Sequence, residues 1–260
     1  EVGLELPEKR EKTIVVPWKT SEERRIAEDL HATLTFTGAK MNGRSLNRAV
    51  SRIGKYALPL MLRARQTCVV PKLIKNAVGK ADPDSEFHDD EKLFSAAMGS
   101  SSKIDAVMKV LINRKDNKRS KLVFCHFRGE IDTICHRCRE AGMEVANFDG
   151  RTPKDERERL LQSSCDVLVL QIQTGCEGLN LQQFKEVYFV SPSWNPAVED
   201  QAVARSHRIG QTEQVDVFRF VMEGFDSEAI TLDSHIHNIQ LIKRQEANLL
   251  DQICKKKIKT

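Results

Sequence analysis

From residue 103 to about residue 222, short apolar runs rich in β-formers alternate with segments of helical character. LVFCHF (122–127), MEVANF (143–148), DVLVLQI (166–172), EVYFVS (186–191) and VDVFRFV (215–221) are the strand candidates. Between them lie a helix carrying Ile131, Ile134, Cys135 and Cys138, a charged helix begun by Pro153, and a helix with Pro196 in its first turn that runs toward Gly210. An amphipathic helix with Ile104, Val107, Met108 and Leu111 precedes the first run. Such alternation predicts an α/β fold, a parallel sheet with helices on both faces. Right-handed crossovers then place the loops after the strands on one edge, where ligands bind. The loops after Phe127, Ile172 and Ser191 are therefore where function is expected.

The flanks read differently. Residues 1–75 combine a β-branched strand, KTIVVPW (12–18), with a helix capped by Ser21 and a basic helical segment that serves as a protrusion or linker region. In that segment Val50, Ile53, Ala57, Leu60, Met61 and Ala64 share helical spacing, Pro59 should kink it, and Arg44, Arg48, Arg52, Lys55, Arg63 and Arg65 decorate it. A solvated face and a DNA contact are both open readings there. Residues 76–102 form an acidic linker closed by Gly99 and three serines, residues 103–225 the α/β domain, and residues 226–260 a C-terminal helix opened by Asp226 with a basic tail.

Lysine and arginine total 41 against 37 acids, a net charge of +4, which excludes a strongly basic coat and permits a local basic groove. No apolar run reaches the roughly 18 residues of a membrane span, and the N-terminus carries no signal-peptide core. Because the first residue is Glu1, the chain is read as a fragment. Seven scattered cysteines suit a reducing compartment. Cys135 and Cys138 have metal-like spacing without the second pair a zinc site needs, so no metal ligand is expected.

Three segments carry chemistry. In QAVARSHRIGQ (201–211), Gln201, Arg205 and Arg208 fall at i, i+4 and i+7, one helical face. Two guanidinium forks and an amide make an anion clamp suited to a γ-phosphoryl group. The alternative is a surface helix whose arginines pair with Glu199 and Asp200. In QTGCEGLNL (173–181), Gly175 and Gly178 follow a buried strand and allow a phosphate, ribose or nucleic-acid backbone to approach closely; an ordinary turn is the alternative. In PSWNPAVEDQ, Pro192 and Pro196 bracket Trp194, whose indole either projects to stack on or wedge into nucleic acid or packs as core. No GxxxxGK[ST] loop is present. Arginines for a nucleotide without a phosphate cradle suggest half of a bipartite ATPase site.

LVFCHF resembles motif IV, NFDGRTPKDERERLL the segment following it, LQIQTGCEGLNL motif V, and SWNPAVEDQAVARSHRIGQ motifs Va and VI of the second RecA-like lobe of a Swi/Snf-type ATPase of helicase superfamily two. The resemblance covers residues 100–225, and WNP…QA…R…HRIGQ is its most specific block. LMLRARQTCVVPKL is similar to the segment before that lobe in the branch holding DNA-repair and transcription-termination translocases.

The resemblance implies that ATP with Mg²⁺ binds mainly to a first lobe absent from this chain, and that Arg205 and Arg208 act as arginine fingers with Gln201 beside them. It implies nucleotide contacts by Gly175, Gly178 and Asn180. Duplex DNA would be contacted by His126, Phe127, Arg128, Gln173, Thr174, Trp194 and Asn195. The implied activity is that of a DNA-dependent ATPase, a duplex translocase that remodels protein–DNA complexes, inactive without its first lobe. The implied partners are double-stranded DNA, that first lobe, and nucleosome, polymerase or repair proteins. The implied site of action is the nucleus or a viral replication or transcription site. A non-catalytic DNA-binding or scaffold lobe is the alternative. This sequence departs from the family in four places: Gln173 replaces Lys or Arg, Cys176-Glu177 a glycine and an apolar residue, Ser191 an Asp, and His126 a Gln.

Overall fold

In this computed structural model, residues 6–39, 57–70, 74, 99, 101–162, 164–175 and 179–258 are described. The basic positions Arg44, Arg48, Arg52 and Lys55, nearly all of the acidic linker, and Cys176, Glu177 and Gly178 lie outside them.

Six strands form one sheet: β1 (Lys9–Val16), β2 (Ser120–Cys125), β3 (Val145–Phe148), β4 (Val167–Gln171), β5 (Phe184–Phe189) and β6 (Val215–Met222). Their order is β1-β6-β5-β2-β4-β3, and every neighbouring pair is parallel. The helices are α1 (Ser21–His31), α2 (Ala57–Thr67), α3 (Ser102–Asn113), α4 (Arg128–Glu140), α5 (Lys154–Gln162), the single turn α6 (Ile172–Gly175), α7 (Pro196–Ser206) and α8 (Leu232–Ile258).

Strand periodicity assigns the two faces. Val123 and Cys125 of β2, with Val167 and Val169 of β4, pack with Ile104, Val107, Met108 and Leu111 of α3 and Ile131, Ile134, Cys135 and Cys138 of α4. The intervening Leu122, Phe124, Leu168 and Leu170 face the other way, toward Ala202 and Val203 of α7 and the partly buried Leu160 and Leu161 of α5. Both faces are covered, which explains why these strands read as continuous apolar runs. Each large apolar side chain removed from water contributes about 1.5–3 kcal/mol.

Several elements differ from the sequence reading, among them α1, which is capped by Thr20, whose hydroxyl accepts the Glu23 N–H at 3.2 Å, and not by Ser21. The first strand spans residues 9–16 and stops before Pro17, and it is hydrogen-bonded into the sheet beside β6. The C-terminal helix starts at Leu232 rather than Asp226. The Asp226 carboxylate accepts the Glu228 and Ala229 N–H groups in a tight turn, and the Thr231 hydroxyl accepts the Ser234 N–H as the helix cap. The helix after Pro196 ends at Ser206, short of Gly210: His207 leaves helical backbone at φ −98°, ψ 83°. Among the described residues no helix is long and apolar enough to cross a membrane.

The chain passes from β4 on one side of β2 to β5 on the other, so the sheet reverses its winding there. The ends of β5, β2 and β4 are adjacent at that point, which is where an open α/β sheet presents a crevice.

Candidate nucleic-acid interface

At the end of β2 the chain turns through His126 and Phe127 into α4. Glu130, fully buried, accepts the backbone N–H groups of His126 (2.9 Å) and Phe127 (3.0 Å) on one carboxylate oxygen, forming the turn from inside. Burial raises the Glu130 pKa against those two hydrogen bonds.

His126, expected to face nucleic acid, is buried. Its Nε2 lies 3.3 Å from Ser193 Oγ, and Gln171 Nε2 donates to its carbonyl. Burial, then the Arg65 and Lys103 charges, drive its pKa well below the usual histidine value. It links the β2 and β5 loops as a neutral ring. Phe127 is half-buried, whereas Arg128 is exposed beside Gly150 at the end of β3.

After β4 the chain forms α6 rather than an open loop. Gln173 is exposed on it; Thr174 and Gly175 complete the turn, and α6 packs on α7. Gly178 lies outside the described residues. Asn180 is exposed, and its Oδ1 accepts the Gln182 N–H at 3.4 Å.

Gln201 and Arg205 share one face of α7 at i, i+4. Arg208 does not continue that face, because the helix has ended; it stands exposed in the following turn. The turn after α7 is hydrogen-bonded to the β4–β5 segment. Leu181 N–H donates to the Arg205 carbonyl at 3.1 Å, and Gln182 Nε2 donates to the Ile209 carbonyl. Gly210 turns the chain at φ +95°, a conformation that disfavours side chains, with Gln182 packed against it.

Gln211 organises this turn, a role the residue reading missed. Nearly buried, it donates to the Gln182 carbonyl (3.0 Å) and the Ser206 carbonyl (2.9 Å). Its Oε1 accepts from Lys185 and from the Thr212 and Glu213 N–H groups. Its only sequence signal was its place at the end of HRIGQ.

Trp194 is 38% exposed, with its ring edge toward His235. Asn195, expected at DNA, is exposed and caps α7 by accepting the Ala197 N–H at 3.1 Å. Glu199 is not a surface partner of Arg205. It is fully buried and pairs with Arg219 of β6 at 2.8 Å; Arg219 in turn reaches Glu11 of β1 at 2.7 Å. Arg219 also lies over the Phe189 ring. Lys103 of α3, buried, contacts Asp233 of α8 and donates to Ser191 Oγ at 3.1 Å. With a serine at position 191, Lys103 finds its carboxylate on α8.

Cys135 and Cys138 are buried on α4, their thiol pKa values pushed up by burial to about 11 and about 12. Among the described residues no group of three or more candidate ligands is placed to hold a metal ion.

Comparison with known proteins bears on this geometry. The family model of the helicase conserved C-terminal domain matches residues 102–210. Over 208 residues, 75% of this chain, the sequence is 33% identical to the DNA repair protein RAD5 of Candida albicans. Over 202 residues, again 75%, it is 30% identical to the mouse SWI/SNF-related matrix-associated actin-dependent regulator of chromatin subfamily A member 1. The chain belongs to the C-terminal lobes of Snf2-type ATPases. This Snf2-type lobe spans 18% of the length of each of those two relatives.

The fold agrees. The solved C-terminal part of the Fun30 ATPase domain aligns with 91% of the lobe and 90% of its own chain, at TM-score 0.67 and 17% identity. The Sulfolobus solfataricus SWI2/SNF2 ATPase core in complex with double-stranded DNA aligns with 92% of the lobe and 45% of its own chain, at TM-score 0.61 and 21% identity.

Proposed function

We propose that this chain is the second motor lobe of an ATP-dependent duplex-DNA translocase that remodels protein–DNA complexes. The observation that carries the reading is the pinned turn: the Leu181 N–H bonded to the Arg205 carbonyl and the Gln182 side chain bonded to the Ile209 carbonyl hold α7's end at the sheet's winding reversal. Arg205 and Arg208 flank that pinned end, and Gln201 shares the helix face of Arg205.

ATP with Mg²⁺, held mainly by a first lobe with a Walker loop, supplies the transferable γ-phosphoryl group. The donor set fits its far end: Arg208 is exposed and forms no ion pair among the described residues, Arg205 is half-buried, and Gln201 is exposed on the same helix face as Arg205. Arg205 and Arg208 act as arginine fingers that complement developing phosphate charge. Gln201 orients that end, while Gly175 and Asn180 face the nucleotide side; the role the resemblance gives Gly178 lies outside the described residues. Lobe closure brings these groups up and opening withdraws them.

Arg128, Gln173, Thr174, Phe127 and Trp194 form the DNA-tracking edge, with His126 and Asn195 supporting it from behind and beside. Residues 103–225 with β1 make the lobe, residues 226–260 the brace, residues 1–75 after β1 the protrusion, and residues 76–102 the linker. The implied partners are double-stranded DNA and the first lobe, with nucleosomes, polymerase or repair proteins as targets. The implied compartment is the nucleus.

The test is DNA-stimulated ATP hydrolysis by the parent chain that carries both lobes. Arg205→Ala and Arg208→Ala should each lower turnover on the order of a hundredfold or more, with DNA binding intact. Unchanged turnover in both variants, or an inactive parent, would hand the assignment to the non-catalytic DNA-binding reading.

A further inference from the structure

The loop that carries Trp194 is held almost entirely by side chains from other elements. The Pro192 carbonyl accepts from Arg65 of α2. The Ser193 N–H donates to Glu199 Oε1 of α7 at 2.8 Å, and the Ser193 carbonyl accepts from Gln240 Nε2 of α8 at 2.6 Å. The Trp194 carbonyl accepts from Lys243 Nζ of α8 at 3.5 Å. Gln240 Nε2 also donates to Glu199 Oε1 at 2.6 Å, and both residues are fully buried.

The chemistry at Gln240 is specific. A carbonyl and a carboxylate face it, and both only accept. The amide must therefore turn its NH₂ end toward them, and its Oε1 has no hydrogen-bond partner among the described residues. Neither a carboxylate nor an apolar side chain can fill this place. Glu199, already held by Arg219, transmits the position of β6 to the N–H of the same residue, Ser193.

We propose that Gln240, acting through Glu199, is a positioning residue by which the C-terminal helix α8 sets the mount of Trp194 and so the grip of the lobe on duplex DNA. The inference rests on the proposed role of Trp194 as a DNA contact. Its physical content is that four backbone groups of residues 192–194 are anchored to α2, α7 and α8, with α8 supplying two of the anchors. When α8 shifts on α7, the indole loosens without loss of a charged phosphate contact.

The experiment uses the full 260-residue chain with Trp18→Phe, which leaves Trp194 as the sole indole. Gln240→Met is compared with Gln245→Met, an exposed position on the same helix. Without DNA, Gln240→Met should raise the acrylamide quenching constant of Trp194 and lower its anisotropy, while Gln245→Met changes neither. With duplex DNA, Gln240→Met should weaken affinity about tenfold, the scale of one lost stacking contact. The slope of log K against log salt should stay unchanged, because no phosphate contact is removed.

Unchanged quenching in Gln240→Met overturns the clamp whatever DNA binding does. Altered quenching with parental DNA affinity overturns its role in grip, provided Trp194→Ala itself weakens binding. If Trp194→Ala leaves binding intact, the DNA reading of Trp194 has failed instead, and quenching alone decides the clamp. Should Gln240→Met not fold, Lys243→Met, which severs only the surface hydrogen bond, must itself raise the quenching constant; no change there overturns the proposal.

Discussion

Gln211 satisfies two carbonyls and accepts from three donors while almost buried. Gln211→Ala leaves those groups without partners, at about 1–3 kcal/mol for a buried group stranded in this way. The expected result is a fall of about that size in unfolding free energy by urea titration, together with loss of DNA-stimulated turnover in the parent chain. His31 gives the pH dependence. Fully buried at the end of α1 and against Cys68, it has its pKa lowered to about 4, chiefly by desolvation. The unfolded chain takes up that proton near pH 6.5, so stability is complete above 6.5 and declines as pH falls from 6.5 toward 4. At pH 5.5 the decline amounts to about 1.4 kcal/mol from His31 alone. His126 is lowered as well and adds in the same direction. Urea midpoints at pH 7 and 5.5 should separate for the parent and draw together for His31→Gln.

At the scale of elements, the Arg219–Glu199 pair joins β6 to α7 and, through Glu11, to the edge strand β1. Arg219→Met takes the nearest cation from the buried Glu199 carboxylate, leaving Arg244 at 3.6 Å, and should cost at most about 3–5 kcal/mol, read as a lowered denaturation midpoint. If the midpoint holds, the pair is not what couples these elements. Glu199 also shows where sequence reading stops. Beside Asp200, on a helix with arginines, it looks like a solvated acid, and only the long-range approach of Arg219 and Gln240 identifies it as core. The five lobe strands were legible because both their faces are covered, so each is a bounded apolar run. The pairing of β1 with β6 was not legible, since it joins residues some two hundred positions apart in KREKTIVV, whose charges signal an edge strand only after the partner is known. The start of α8 was misread because Asp226 and Thr231 both carry capping chemistry, and local sequence does not rank a turn against a helix cap. The end of α7 was misread for a similar reason: Gly210 is a true left-handed position, but it closes a turn that begins three residues earlier, at His207.

At the scale of the molecule, the sheet order makes the ends of β5, β2 and β4 neighbours, so segments far apart in sequence share one edge. The candidate DNA groups fall on that edge, but few carry charge: Arg128 is exposed there, while position 173, where the family has Lys or Arg, is an exposed glutamine. With a net charge of only +4 on the whole chain, long-range attraction to DNA is modest, and each local cation on this edge matters to the salt dependence. Gln173→Arg restores one cation without disturbing the core, because its side chain lies outside every buried cluster. Each phosphate newly neutralised on B-DNA steepens the fall of log K with log salt by about 0.9. The variant should therefore bind duplex DNA several-fold more tightly near 0.1 M salt, with a slope steeper by about that amount, and should converge with the parent as salt approaches 1 M. Equal gains at all salt concentrations would mean that the new arginine reaches something other than phosphate. No gain at any salt would place α6 off the DNA path and confine the tracking edge to Arg128 and the Trp194 loop.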